Sequence, residues 1–114
     1  MYDLIIVSSK PPEWTHEEFI EWWRGPHAEA TLKIPGLRSW RQIEIDRALD
    51  KRSQDWDGVS MLSFDSSEAA DAAFASEEWK DAVAQVGDMR GRRLAFLGEE
   101  IVRVPENAVG KAGL

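Results

Sequence analysis

Two stretches of this chain are apolar on both sides of a strand. In residues 2–8, Leu4 and Ile6 share one face while Ile5 and Val7 share the other; in residues 56–65, Val59 and Met61 oppose Leu62 and Phe64. Side chains alternate strictly between the faces of a strand. A sheet built from such strands has no solvated face, so any fold must provide two covers.

Helix signals follow the first of these strands. Lys10-Pro11-Pro12-Glu13 stops the ladder, because proline donates no backbone hydrogen bond. Thr15 with Glu18 three residues later is a capping box, and Trp14 with Phe19 is placed for a hydrophobic staple. Phe19, Ile20, Trp22, Trp23 and Ala30 keep a helical spacing. Pro26 interrupts it, and the expected result is a kink that frees a carbonyl, with the helix resuming through Ala28-Glu29-Ala30 and ending before Pro35-Gly36. Leu37 to Asp46 reads as the second strand, with Arg38, Trp40, Gln42, Glu44 and Asp46 on one face. Trp56 to Asp65 is the third. Asp65-Ser66-Ser67-Glu68 starts a second helical region, Ser76-Glu77-Glu78 restarts it, and Gly87, Asp88 and Gly91 end it. Leu94 to Val104 is the fourth strand, with Gly98 as a bulge or bend.

The resulting order is β-α-β-β-α-β, the split βαβ pattern of a ferredoxin-like α+β fold. Its four-stranded antiparallel sheet carries helices on one face. The second apolar face then calls for another copy of the sheet, and a closed homodimer is the expectation. Residues 1–104 form one domain and 105–114 a C-terminal tail.

The composition removes several function classes. There is no cysteine among the 114 residues, which excludes disulfide scaffolds, thiolate catalysis and zinc–thiolate sites. A net charge of -7 repels phosphate backbones and anionic membranes, so neither nucleic acid nor membrane is an expected partner. Leu4 to Val7 is too short to span a bilayer or act as a signal segment, and a cytoplasmic location is expected. No Gly-rich phosphate loop, dinucleotide fingerprint or nucleophile elbow occurs. No cofactor is called for.

What remains is centred on Trp22-Trp23-Arg24-Gly25-Pro26-His27. Counted along a continuous helix, His27 falls on the sheet-facing side with Ile20 and Trp23, where an imidazole exchanges a proton near neutral pH. The competing reading is a structural histidine bonded to backbone. His16 lies in the first turn, at the exposed end. Eleven residues at about 1.5 Å each put the two histidines roughly 16 Å apart, so they cannot share a metal, and no metal site is expected. Trp23 and Trp40 are the candidate pocket walls, although plain core packing would equally account for them. Trp22 and Trp79 are read as structural. Arg38 is a candidate to hold a phenolate or carboxylate, against the reading of a solvated strand-edge arginine. Tyr2, or its neighbour Asp3, is a candidate second polar partner.

Several of these residues carry a resemblance. His16…Phe19…Trp22-Trp23…His27-Ala28, then Ile34-Pro35-Gly36-Leu37-Arg38, then Asp57-Gly58-Val59 leading to Phe64-Asp65-Ser66, resembles the EthD-like branch of the dimeric α+β barrel superfamily over residues 2–104. His27 matches the family's helix-end histidine. Where the family often has an acidic and an aromatic residue after Asp57-Gly58-Val59, this chain has Met61 and Ser63. The resemblance implies a small-molecule enzyme, with relatives among methylmuconolactone isomerase, polyketide dehydratases and cyclases, quinone-forming monooxygenases and haem-binding proteins.

The leading expectation is a cofactor-free lyase or isomerase in aromatic catabolism. His27 would act as general acid or base on a small aromatic, lactone or polyketide-like substrate. A cofactor-independent monooxygenase and a non-enzymatic binding or accessory protein are the alternatives.

Overall fold

Strand β1 (Tyr2–Ser8) takes the place its two apolar faces suit, inside the sheet. In the computed structural model, which describes residues 1–86 and 92–105, it pairs antiparallel with β3 (Gly58–Phe64) and with β4 (Arg93–Glu99). Strand β2 (Ser39–Glu44) pairs antiparallel with the far side of β3, giving the order β2-β3-β1-β4. Helices α1 (His16–Arg24) and α2 (Pro26–Thr31) connect β1 to β2; α3 (Ser67–Phe74) and α4 (Glu77–Val86) connect β3 to β4. This is the ferredoxin-like arrangement.

The register assigns the faces. Leu4 stands opposite Leu62 and Leu97, Ile6 opposite Ser60 and Ala95, and Ser8 opposite Gly58 and Arg93, all toward the helices. On that side Leu4, Leu62 and Phe64 join Ile34, Ala70, Ala73 and Ala82 in one core, with Trp40, Phe74 and Trp79 packed against it. Among the described residues nothing covers the opposite face. It presents Ile5, Val7, Val59 and Met61, flanked by Ile43, Leu94 and Phe96, of which Phe96 is 58% exposed. Asp3 lies on this face too, yet it is buried, and its carboxylate accepts a 2.7 Å hydrogen bond from the Ser63 hydroxyl.

Local chemistry sets the helix ends. The Thr15 hydroxyl accepts from the Glu18 amide, and the Glu18 carboxylate accepts from the Thr15 amide, which completes the capping box. Ser66 caps α3 through the Ala69 amide, and Ser76 caps α4 through the Trp79 amide. The helical region therefore breaks and restarts where Ser76 predicts. Gly36 turns the chain toward β2 at a φ of +79°, a conformation that disfavours residues with a Cβ.

Three boundaries differ from the sequence reading. β2 and β3 are shorter at both ends, because their flanking residues bond singly rather than in a ladder: Arg38 N to the Ser63 carbonyl, Ile45 N to the Asp57 carbonyl. β4 ends at Glu99, and Gly98 is neither bulge nor bend but sits in register opposite Asp3. The third is the interruption at Pro26, which is a full break. The helix-ending signal at Gly87, Asp88 and Gly91 and the tail beyond Pro105 lie outside the described residues. Among the described residues no helix is long and apolar enough to cross a membrane.

Candidate functional site

The site begins at the break. α1 closes on Gly25, whose amide donates to the Glu21 carbonyl at 3.0 Å, and Pro26 opens α2 at its first position. Proline loses nothing there, since that amide has no partner within a helix. The Trp23 carbonyl at the break accepts a 3.0 Å hydrogen bond from the Gln42 side chain of β2.

Restarting the helix resets its rotational phase, and this decides what His27 touches. The His27 ring stacks on Trp22, with centroids 4.7 Å apart and an interplanar angle of 17°. Trp22 in turn takes the edge of Trp14 at 6.0 Å. Trp23 turns inward, 3% exposed, and stacks on Phe19 at 5.6 Å. Its ring lies directly over Gly58, where a Cβ would come within 2.6 Å of it. The counted-helix expectation, with Trp23 beside the histidine and Trp22 elsewhere, is thus corrected: Trp22 is the ring that His27 meets.

A cleft of ≈ 530 Å³, counted out to its open mouth, lies between these helices, α4 and the sheet. Trp22, Trp23, His27 and Thr31 form one wall, and Trp79, Ala82, Val83 and Val86 the other. Ile6 and Ser8 of β1, Ser60 and Leu62 of β3, and Arg93 of β4 form the floor, with Ile34 also on its lining. The lining is mostly apolar with a few polar groups, the usual make-up of a small-molecule site.

His27 is the titratable centre of this cleft. Burial pushes its pKa below the usual imidazole value, the Arg93 charge pushes the same way, and a side-chain hydrogen bond with Gln85 opposes them. The ring is therefore neutral at pH 7. Its Nδ1 is buried with no hydrogen-bond partner among the described residues. Buried polar atoms are nearly always paired, so an unpaired one marks a special position. The carbonyl that Gln42 bonds is that of Trp23, not the Trp22 carbonyl that Pro26 leaves without its helical donor. The His27 carbonyl accepts from the Thr31 hydroxyl at 2.9 Å.

The other sequence candidates are dispersed. Trp23 lines the cleft with His27. Trp40 stands beside the floor on the neighbouring strand, where its indole N–H donates to Ser60 Oγ at 2.6 Å. Arg38 is 59% exposed on the surface, and its Nε and a terminal amine both bond the Asp65 carboxylate at 2.8–3.0 Å. That pairing holds the Asp65 carboxyl below its usual pKa. Tyr2 begins β1, about 13 Å along the strand from Ile6, the first β1 residue on the cleft, and it does not line the cleft.

Two features escape the sequence reading. Arg93 is in the cleft, on a strand too apolar on both parities for its face to be told from the sequence alone. His16 is a clamp: its Nδ1 bonds Asp57 Oδ1 at 2.6 Å and its Nε2 bonds Glu44 Oε2 at 2.9 Å. Asp57 and then Glu44 raise its pKa. The second Asp57 oxygen accepts from the Lys10 amide at 2.7 Å. The clamp ties the start of α1 to the end of β2 and the start of β3, apart from the cleft. No group of three or more His, Asp or Glu residues among those described could hold a metal ion.

With this geometry in place, comparison with known proteins is informative. Residues 11–88 match the EthD domain, which is more than half of the chain. The chain belongs to the EthD family. The match takes in α1, the break, His27 and the Asp57-Gly58 turn, and stops before Arg93. An EthD family protein from Bacillus halodurans C-125 superposes with a TM-score of 0.71 at 23% identity, covering 89% of this chain and 100% of that one. A dimeric ferredoxin-like protein of unknown function from Thermobifida fusca YX gives a TM-score of 0.68 at 16% identity, covering 87% and 90%. SnoaB, a cofactor-independent oxygenase from Streptomyces nogalater, gives 0.64 at 13% identity, covering 92% and 97%. At these identities the likenesses establish the fold that this EthD chain shares with them. No curated protein matches its sequence.

Proposed function

We propose that this EthD protein is a cofactor-free enzyme in which His27 acts as general base and then general acid on a small aromatic, lactone or polyketide-like carbon acid. The observation that carries the reading is the buried, unpartnered Nδ1 of a neutral imidazole on an apolar cleft. A neutral ring nitrogen accepts a proton, and an apolar surround favours a substrate held in line with it. In the proposed step the substrate C–H bond breaks, its proton goes to the neutral His27 ring, and the electron pair passes into the substrate carbonyl as an enolate. The imidazolium then returns the proton to carbon or to a leaving oxygen. Isomerisation, dehydration, cyclisation and C–C cleavage all use this exchange. Trp22 holds the ring by stacking, and Trp23 forms the adjacent wall.

The test is deuterium wash-in from D2O into a panel of unsaturated lactones and cyclic β-diketones, followed by NMR. Wild-type protein should accelerate exchange in at least one of them. His27→Gln should lose about a hundredfold or more of that rate, the range over which a positioned base contributes. Full exchange in His27→Gln would contradict the proposal.

SnoaB favours a second reading, cofactor-independent oxygenation in the same cleft. There the carbanion formed by His27 would pass its electrons to O2, and oxygen uptake without added flavin or metal separates the two.

The working form proposed is a homodimer. The open sheet face carries Ile5, Val7, Met61 and Phe96 toward solvent, and a second copy of that face is the simplest cover for it. The dimeric Thermobifida fusca protein of the same fold supports this arrangement. Residues 1–104 are proposed as the working domain.

A further inference from the structure

The chain carries 21 acidic and 14 basic residues, and among the described residues three of its nine arginines form ion pairs. Arg24, Arg38 and Arg47 each form an ion pair. Arg93 does not: it makes no ion pair and no side-chain hydrogen bond among the described residues, and it lines the His27 cleft. Its position follows from the register. Arg93 stands directly opposite Ser8 on β1, on the helix side of the sheet, so the two side chains lie side by side. Ser60 is on the same face of the neighbouring strand, one residue pair further along.

The three residues supply donors. A guanidinium has five N–H groups and no acceptor. Ser60 Oγ already accepts from the Trp40 indole, which leaves its own O–H to donate. Ser8 is buried, and its backbone carbonyl accepts from the Asp57 amide while its hydroxyl lines the cleft. Among the described residues no carboxylate lines the cleft to compete for these donors.

We propose that Arg93, with the hydroxyls of Ser8 and Ser60, is the anion-binding subsite of the cleft, and that the substrate carries a carboxylate seated there while its apolar body lies between Trp22 and Trp79. This deepens the proposed function and rests on it for the reaction, but not for the binding. Arg93 selects and positions the substrate; His27 moves the proton. A carboxylate on Arg93 also offsets the positive charge beside His27, so the filled subsite makes the imidazole a stronger base than the empty one.

The probes are matched acids and amides: benzoate against benzamide, and 2-naphthoate against 2-naphthamide, titrated by calorimetry. Wild-type protein should bind at least one acid about tenfold or more tightly than its amide, the scale of a charge-assisted hydrogen bond set. Arg93→Gln should erase that preference by weakening the acid more than the amide, and Arg93→Lys should retain part of it. His27→Gln should keep the preference. The pH titration of the His27 ring in 15N NMR should move upward when the acid is bound in wild type and stay fixed in Arg93→Gln. No binding of either acid, equal binding of acid and amide, or a preference that survives in Arg93→Gln would overturn the subsite. If the preference behaves as expected but no carbon acid exchanges deuterium, the subsite stands and the acid–base role of His27 fails. If exchange occurs but neither acid is preferred over its amide, the acid–base role stands and the subsite fails.

Discussion

His27 and His16 have opposite environments, and their pH signatures should oppose each other. Burial lowers the His27 pKa in the folded state, so at pH values between that pKa and about 6.5 the unfolded chain binds the extra proton. His27 therefore weakens the fold as pH falls below 6.5, and His27→Gln should gain thermal stability relative to wild type at pH 5 compared with pH 8. His16 is the reverse case. Asp57 and Glu44 raise its pKa, so its stabilisation is fully present below about 6.5 and is lost as pH rises through the higher folded value. The melting-temperature gap between wild type and His16→Asn should be widest near pH 6 and narrow as pH rises through the raised folded-state pKa; a gap independent of pH would contradict a charged clamp. Neither environment is legible in full from the sequence. His27 stands out there because it is one of two histidines, next to two tryptophans. Its partner ring does not, because a count from Trp23 assumes an unbroken helix. The His16 clamp joins residues 28 and 41 positions apart, and no local spacing announces such a pairing.

At the scale of elements, Gly58 and the serine caps hold the site in shape. Gly58 opens β3 under the Trp23 ring, with no room for a methyl group. Gly58→Ala should destabilise the protein by about 1–3 kcal/mol through overpacking and should displace Trp23, seen as a change in tryptophan fluorescence. Ser76 accepts from the Trp79 amide and donates to the Ala73 carbonyl at 2.6 Å, so it joins α3 to α4. Ser76→Ala should cost about 1 kcal/mol in chemical denaturation and loosen the α4 wall of the cleft. These caps are legible in the sequence, since Ser and Thr at helix starts act through adjacent backbone. Strand order is legible from the β-α-β-β-α-β succession. Strand ends are not, because the ladder stops where a neighbour stops pairing and not where β-prone residues run out. Arg93 belongs to the same class of miss: the apolar character of both parities of β4 hides which face it occupies.

For the whole molecule, the open sheet face is an uncovered apolar surface among the described residues, and its exposed Phe96 and Leu94 sit beside Ile5 and Val7. The mass in solution should be twice that of the 12.9 kDa chain, and Phe96→Glu should return it to the single-chain value without altering the cleft side of the sheet. A single-chain mass for wild type would leave this face in need of another cover. That second apolar face is plain from the run Leu4-Ile5-Ile6-Val7 alone, because four consecutive apolar residues must populate both sides of a strand. The account as a whole turns on a neutral imidazole that accepts a proton. The most direct test is the pH profile of deuterium wash-in by wild-type protein beside His27→Gln. The account predicts a rate that rises with pH through an apparent pKa below 6.5, levels off at neutral pH and is absent in the variant. A profile that is the same in both proteins would contradict it.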